Sequence, residues 1–396
     1  MTGIAAFIAS TFAGLFVGTF GLGWMPDRYG RRAVFTFSLL WYSISSAIMA
    51  LQTTPEGLLL WRFITGIGVG VEIITIDTYV TEIVPQQIRG RAIAFNQTVM
   101  FAAAPVAAIL SWWLVPQTVF GLDGWRAVVL AGSVGAVIVW FIRRRVPESP
   151  RWLADHGSQA ESERVMSKME SIIVRQSGLP LATIEIATAQ PVQHPVSLSD
   201  LWQAPYRSRL VMLTAFNFFQ AIGYHGFVNW VPTLLIGQGI TVTKSLLYSF
   251  IIAFAMPAGP LFAMLYADRV QRKYLIVGSA LAISICGIAF GQMRSTIPRI
   301  VCGILISLAT QTLSVSCHAY QSELFPTALR GRASGIVYSA SRIGAMFSGF
   351  FIAALLKDFG VGGVFAGITA AMTAVAISIG VFGPKTNGVR LESLNQ

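Results

Sequence analysis

Apolar runs of about 20 residues recur along the whole chain, and each is long enough to cross a hydrocarbon layer of roughly 30 Å. They fall at 2–23, 33–52, 57–80, 92–115, 125–143, 209–236, 246–267, 274–292, 298–320, 332–356 and 362–383. Backbone in hydrocarbon must satisfy its own hydrogen bonds, so only helices or a closed barrel serve there. A barrel would show short alternating segments, and none dominate. The chain reads as an all-α, multi-pass membrane protein. Composition agrees: 54% of the 396 residues are hydrophobic and 11% charged, where a soluble domain carries about a quarter.

The net charge of +11 invites a nucleic-acid reading, but its placement argues for orientation instead. Of 28 Lys and Arg, 21 fall at 25–32, 84–91, 143–209, 268–273, 325–332 and 384–396, all on one side of the spans. Four lie on the other side (Arg126, Lys244, Arg294, Lys357), and Arg62, Arg299 and Arg342 lie in helices. The rich side is expected to be cytoplasmic, with the C-terminus on it. The membrane is then the plasma membrane, or the inner membrane of a bacterium. Cys286, Cys302 and Cys317 sit in apolar segments without metal spacing, so no metal or other cofactor is expected. Residues 1–24 lack a charged leader, so no cleavable signal peptide is expected.

One string occurs twice, 241 positions apart. Tyr79-Val-Thr-Glu82-Ile-Val-Pro85-Gln-Gln-Ile-Arg89-Gly90-Arg91-Ala92 is echoed by Tyr320-Gln-Ser-Glu323-Leu-Phe-Pro326-Thr-Ala-Leu-Arg330-Gly331-Arg332-Ala333. Asp27-Arg28-Tyr-Gly30-Arg31-Arg32 and Asp268-Arg269-Val-Gln-Arg272-Lys273 share the offset. Duplicated hydrophobic halves are a transporter architecture. The polar stretch 146–208 divides the chain into bundles at 1–145 and 209–396, with a cytoplasmic linker that holds one or two short surface helices at 158–176. The second bundle has six spans and the first five, about 11 in all. The counterpart of 209–236 would lie upstream of Met1, so an opening helix is expected to be missing, through a start placed too late or a shortened product. An 11-helix protein that is complete as it stands is the other possibility.

Several strings resemble the major facilitator superfamily. Gly23-Trp-Met-Pro-Asp27-Arg28-Tyr-Gly30-Arg31-Arg32 fills every fixed position of its loop signature G-x-x-x-D-R-x-G-R-R. Pro147-Glu148-Ser149-Pro150-Arg151-Trp152-Leu153 is identical to a segment of the sugar-porter branch and its organic-acid relatives. Arg62-Phe-Ile-Thr-Gly66-Ile-Gly68-Val-Gly70 fits the same branch. Pro384-Lys385-Thr-Asn-Gly388-Val-Arg-Leu391-Glu392 resembles its tail P-E-T-K-G-x-x-L-E, with lysine for glutamate. The resemblance implies two helical bundles that alternate access, and an inward gate built from Asp27, Arg28, Gly30, Arg31, Arg32, Glu82, Arg89, Arg91, Asp268, Arg269, Arg272, Glu323, Arg330 and Arg332. On physical grounds Gly30 suits a tight bend, and Asp27 suits pairing with a cation or capping the next helix. Glu82 and Glu323 can pair with the Arg-Gly-Arg turns or with the loop signatures.

Ionisable groups inside a membrane are functional candidates by default. Arg62 lies near the outer end of its helix, Glu72 near the midplane and Asp77 deeper; His318 is the repeat equivalent of Asp77. In proton-coupled members the Arg62 position works with an acid on the first helix, so Glu72 or Asp77 is the candidate replacement. Each is weighed against a satisfied structural pair or a place facing a wet cavity, and His318 against a core histidine. Phe219-Gln220-Ala-Ile-Gly223-Tyr-His225 keeps one glutamine of the hexose-carrier string Q-Q-x-x-G-x-N and loses its asparagine. Gln97, Gln220, His225, Asn229, Trp230 and Gln311 form the candidate substrate set, better suited to an aromatic or carboxylated metabolite than to a hexose. The expected protein is a monomeric secondary transporter with a small metabolite and protons as partners. A sensor that keeps the fold without turnover is the competing class. The chain carries no P-loop, H-E-x-x-H or G-x-S-x-G, which argues against ATP drive and against an intramembrane enzyme.

Overall fold

The computed structural model describes residues 2–84, 89–119, 121–144, 146–177, 201–203, 206–266, 270–293, 295–325 and 327–385. Helix α1 spans Thr2–Phe16 and ends in a π-helical turn, Val17–Gly21. After the short α2 (Met25–Tyr29) come α3 (Arg31–Ala50), α4 (Pro55–Ile83), α5 (Arg89–Leu114) and α6 (Gly124–Arg143). A two-residue ribbon, β1 (Thr118–Val119) against β2 (Leu122–Asp123), links α5 to α6, with Thr118 opposite Asp123. Two surface helices, α7 (Pro150–Asp155) and α8 (Gln159–Ser177), lie in the polar stretch after α6. The remainder is α9 (Tyr206–Val228), α10 (Val231–Gly237), α11 (Val242–Ala253), α12 (Ala255–Tyr266), α13 (Arg272–Gln292), α14 (Thr296–Leu324) and α15 (Thr327–Phe382).

Among the described residues, nine helical segments are long and apolar enough to span a bilayer. One of them, Gly335–Phe382, has 48 residues. At 1.5 Å per residue it measures about 72 Å, room for two crossings. It breaks at Gly360, where φ is 65°. Two runs read as single helices are split. The run 209–236 breaks at Asn229–Trp230, just ahead of Pro232, which lacks the N–H that would bond the Val228 carbonyl and so sits in the first turn of a new helix. The run 246–267 breaks at Phe254, since Pro257 lacks the N–H that would bond the Ala253 carbonyl.

Close helix contact rests on small residues. A Cβ on Gly66 would stand 2.5 Å from the Thr11 carbonyl oxygen, and one on Gly70 2.6 Å from that of Leu15. Gly14 and Gly18 meet the same stretch of α4 from α1, so two glycine pairs let the backbones touch. Helix α1 also packs on α15, and α5 on α11 and α12, which joins the first group of helices to the second. The second group has an aromatic centre in which Phe290 lies 5.1 Å from Phe365 and 5.8 Å from Phe227. At the end of α6 opposite Arg143, Arg126 donates to the carbonyls of Ala50 (2.5 Å) and Gln52 (2.7 Å) and ties the start of α6 to the end of α3.

Candidate functional site

The loop signature folds into α2, a turn at Gly30, and the first residues of α3. Gly30 has φ 91°, a conformation that L side chains rarely adopt, and a Cβ there would sit 2.6 Å from Glu148 Oε2. Beyond it Arg31 is almost fully buried. Its Nε and Nη2 donate to the two carboxylate oxygens of Glu82 at 3.1 and 2.8 Å. Nη2 also meets Asp27 Oδ1 at 2.8 Å, and Nη1 meets the Pro26 carbonyl at 2.9 Å. The forked Arg31–Glu82 pair is the strong element. Asp27 has a side chain 73% exposed, so its pair contributes about 0–1 kcal/mol. Of the two pairings open to Glu82, the structure takes the one with the loop signature. Arg28 lies outside this knot, 5.8 Å from the Trp24 ring and 5.7 Å from that of Tyr29.

Asp27 does not cap α3. That role belongs to Glu148, whose Oε1 accepts from the backbone N–H of Arg31 (2.9 Å) and Arg32 (3.1 Å). A carboxylate there satisfies orphan donors and complements the helix dipole. The surrounding segment is bound along its length. Arg32 donates to the Arg144 carbonyl at 2.6 Å, Tyr79 to that of Pro147 at 2.8 Å, and Trp152 Nε1 to that of Asp27 at 2.7 Å. Thus Arg144 and residues 146–152 form a strap over the N-terminus of α3 and the end of α4. Local sequence does not reveal this cap, because 117 positions separate the partners; the available signal is one acid in an otherwise basic segment.

The repeat is visible in these tethers. Tyr320, the counterpart of Tyr79, donates to the Pro384 carbonyl at 2.8 Å, and Lys273, the counterpart of Arg32, to that of Gly383 at 2.7 Å. Where Glu148 follows Pro147, Lys385 follows Pro384, with its ammonium 5.7 Å from the Tyr274 ring. Gln271, in the place of Gly30, has φ −56°, so that bend needs no glycine. Arg272 is half-buried at the start of α13. Asp268 and Arg269 lie outside the described residues. Arg89, Arg91, Glu323, Arg330 and Arg332 ride on α5, α14 and α15 with side chains outside the described set.

Inside the membrane, Glu72 is buried in an ion pair with Arg143, the last residue of α6. The run of charge at 143–209 therefore begins with a residue that points back into the bundle. Through Oε1, Glu72 takes the place of a structural pair. Arg62 donates from Nε to Thr11 Oγ1 at 2.8 Å and lies 4.9 Å from the Phe7 ring. Asp77 has a side chain outside the described residues. His318 is exposed on α14, with Nδ1 2.6 Å from the Ser314 carbonyl and its ring 5.6 Å from Tyr338. A core histidine it is not.

The substrate candidates do not all share a surface. His225 packs between Phe12 of α1 (4.4 Å) and Tyr224 (4.7 Å), at the junction of the two groups of helices. Gln97 and Gln220 are half-buried on α5 and α9, and Asn229 is exposed at the α9 break. Trp230 and Gln311 belong to the packed interior. Trp230 is fully buried in the main apolar core. Gln311 packs on Gly259, and its Nε2 donates to the Met256 carbonyl at 3.2 Å, bridging α14 to α12. Two surface grooves, one around Phe141 and Val146 and one around Phe218 and Ile343, are apolar and are lined by none of these residues.

A family model described as "Sugar (and other) transporter" matches residues 2–396. The chain is 28% identical over 388 residues to the putative metabolite transport protein YyaJ of Bacillus subtilis (strain 168), covering 98% of this chain and 85% of that one. It is 29% identical over 415 residues to the niacin transporter NiaP of Acinetobacter baylyi (strain ATCC 33305 / BD413 / ADP1), covering 99% and 92%. To the arabinose-proton symporter of Bacillus subtilis (strain 168) it is 30% identical over 367 residues, covering 89% and 77%. In fold it is similar to a partially occluded, inward-open structure of the xylose transporter XylE from E. coli. The TM-score is 0.76 at 21% identity, over 98% of this chain and 89% of that one. The chain therefore belongs to the sugar (and other) transporter family, and is an all-α, multi-pass secondary transporter of the major facilitator fold.

Proposed function

We propose that the protein moves a small organic metabolite, an organic or aromatic acid or a sugar-like molecule, together with protons, by alternating access across the plasma membrane or a bacterial inner membrane. The observation that carries the gating part is the doubled set of tethers on the basic face, Arg32 and Tyr79 in one half and Lys273 and Tyr320 in the other. The bundles are 1–145 and 209–396, the linker is 146–208, and the basic face with the C-terminus is cytoplasmic. In this reading the Arg31–Glu82 pair, the Glu148 cap and the Lys273 and Tyr320 tethers of the second half hold the inward gate in one state and release it in the other. Helix α1 and His225 stand where the halves meet, Arg62 is held to α1, and the activities named for the niacin and arabinose relatives support a small acid or sugar as cargo. With Glu72 engaged by Arg143, Asp77 is the candidate proton carrier, with His318 opposite it in the repeat. The protein acts as a monomer in the bilayer.

Counterflow in proteoliposomes tests this, with labelled niacin and arabinose as the first probes. Saturable exchange, and accumulation that collapses when a protonophore removes the pH gradient, is the expected result. Binding without exchange would favour the sensor reading, which none of these relatives' names supports.

A further inference from the structure

Building on the gate proposed above, we infer that Arg143, held by Glu72, is its positioning residue: it sets the depth of α6 and so decides where Glu148 meets α3. Both side chains of the pair are about nine-tenths buried. The Arg143 guanidinium also donates to the Phe35 carbonyl of α3 at 2.7 Å and lies 3.5 Å from the Phe35 ring centroid. One side chain at the end of α6 thus grips both α3 and α4. Arg126 grips α3 at the other end of α6, so the helix is pinned to its neighbour at both termini.

The grip at Arg143 matters because the strap begins at the very next residue. Arg144 offers the carbonyl taken by Arg32, and five residues after Arg143, Glu148 caps α3. Five residues reach at most about 18 Å, so there is little slack to absorb a shift of α6. A buried pair is weak evidence for stability, because desolvation offsets most of its attraction. A role in geometry accounts better for its presence. The second half makes the same point: Glu72 has as its counterpart 241 positions on Leu313, fully buried in the core, and there Lys385 replaces the capping carboxylate. The acid of the inner pair and the acid of the cap occur together in one half and are both replaced in the other.

The experiment reads gate opening, not transport. Cys286, Cys302 and Cys317 are replaced by alanine, and Ile83→Cys, beside Glu82, serves as reporter in everted vesicles treated with a membrane-impermeant maleimide. The double variant Glu72→Leu, Arg143→Met removes both charges without stranding either. It is expected to label roughly tenfold faster than the parent, about 1.4 kcal/mol in the opening equilibrium, with an unchanged melting temperature. Arg143→Lys keeps the charge but not the fork, and is expected to label at an intermediate rate. Parent-like labelling of both variants, or loss of folded protein in both, overturns the inference. An Arg31→Ala, Glu82→Ala control separates the two levels: if it too labels like the parent, the gate reading fails first.

Discussion

Gly30 and Glu148 show how much a single position can carry. With φ 91° and a carboxylate against its α-carbon, Gly30 has two reasons to be glycine. Gly30→Ala is expected to cost about 1–3 kcal/mol and to push Glu148 off α3, seen as a lower melting temperature of detergent-purified protein. Glu148→Ala leaves two helix donors without their acceptor. A loss of about 1 kcal/mol and faster labelling at position 83 are expected, with Glu148→Gln close to the parent in stability. The need for Gly30 was legible in the loop signature. The cap was not, because a carboxylate's partner across the fold leaves no mark on local spacing. Arg143 was hidden for the same reason: at the edge of a basic segment, it reads as one more positive-inside charge.

Helix contacts can be tested in the same direct way. The two glycine pairs between α1 and α4 leave no room for a side chain, so Gly66→Leu is expected to drive α1 off α4. The check is loss of the monodisperse peak in size-exclusion chromatography, while Gly278→Leu, which meets nothing within 4 Å, elutes as the parent does. At the start of α13, Lys385→Glu would restore the acid that the strap of the first half carries. A rise of a few degrees in melting temperature, worth about 1 kcal/mol, is expected, with slower opening of the gate. The apolar runs marked the helices well because burial in lipid demands continuous hydrophobicity. They could not mark the breaks at Phe254 and Asn229–Trp230, where a proline only removes a donor and the chain chooses where to bend.

Transport itself is a property of both halves, and its predictions concern coupling. Asp77→Asn is expected to abolish accumulation driven by a pH gradient while leaving counterflow intact, measured in the same proteoliposomes. Glu72→Gln should keep coupling, because Glu72 is engaged in a structural pair; retention of pH-driven accumulation in Asp77→Asn would remove Asp77 from the mechanism. The fold class, the repeated strings and the clustering of basic residues were readable in the chain, because bilayer thickness, backbone satisfaction and duplicated charge act through composition and spacing. Tertiary structure alone decided which partner each charge takes. It gave Glu82 to Arg31, Glu148 to the N-terminus of α3 and Arg143 to Glu72, and it sealed Trp230 and Gln311 in the interior. The physical reason is common to all of these: a long side chain is partnered by whatever packing brings within about 3 Å, and packing joins residues that the sequence keeps far apart.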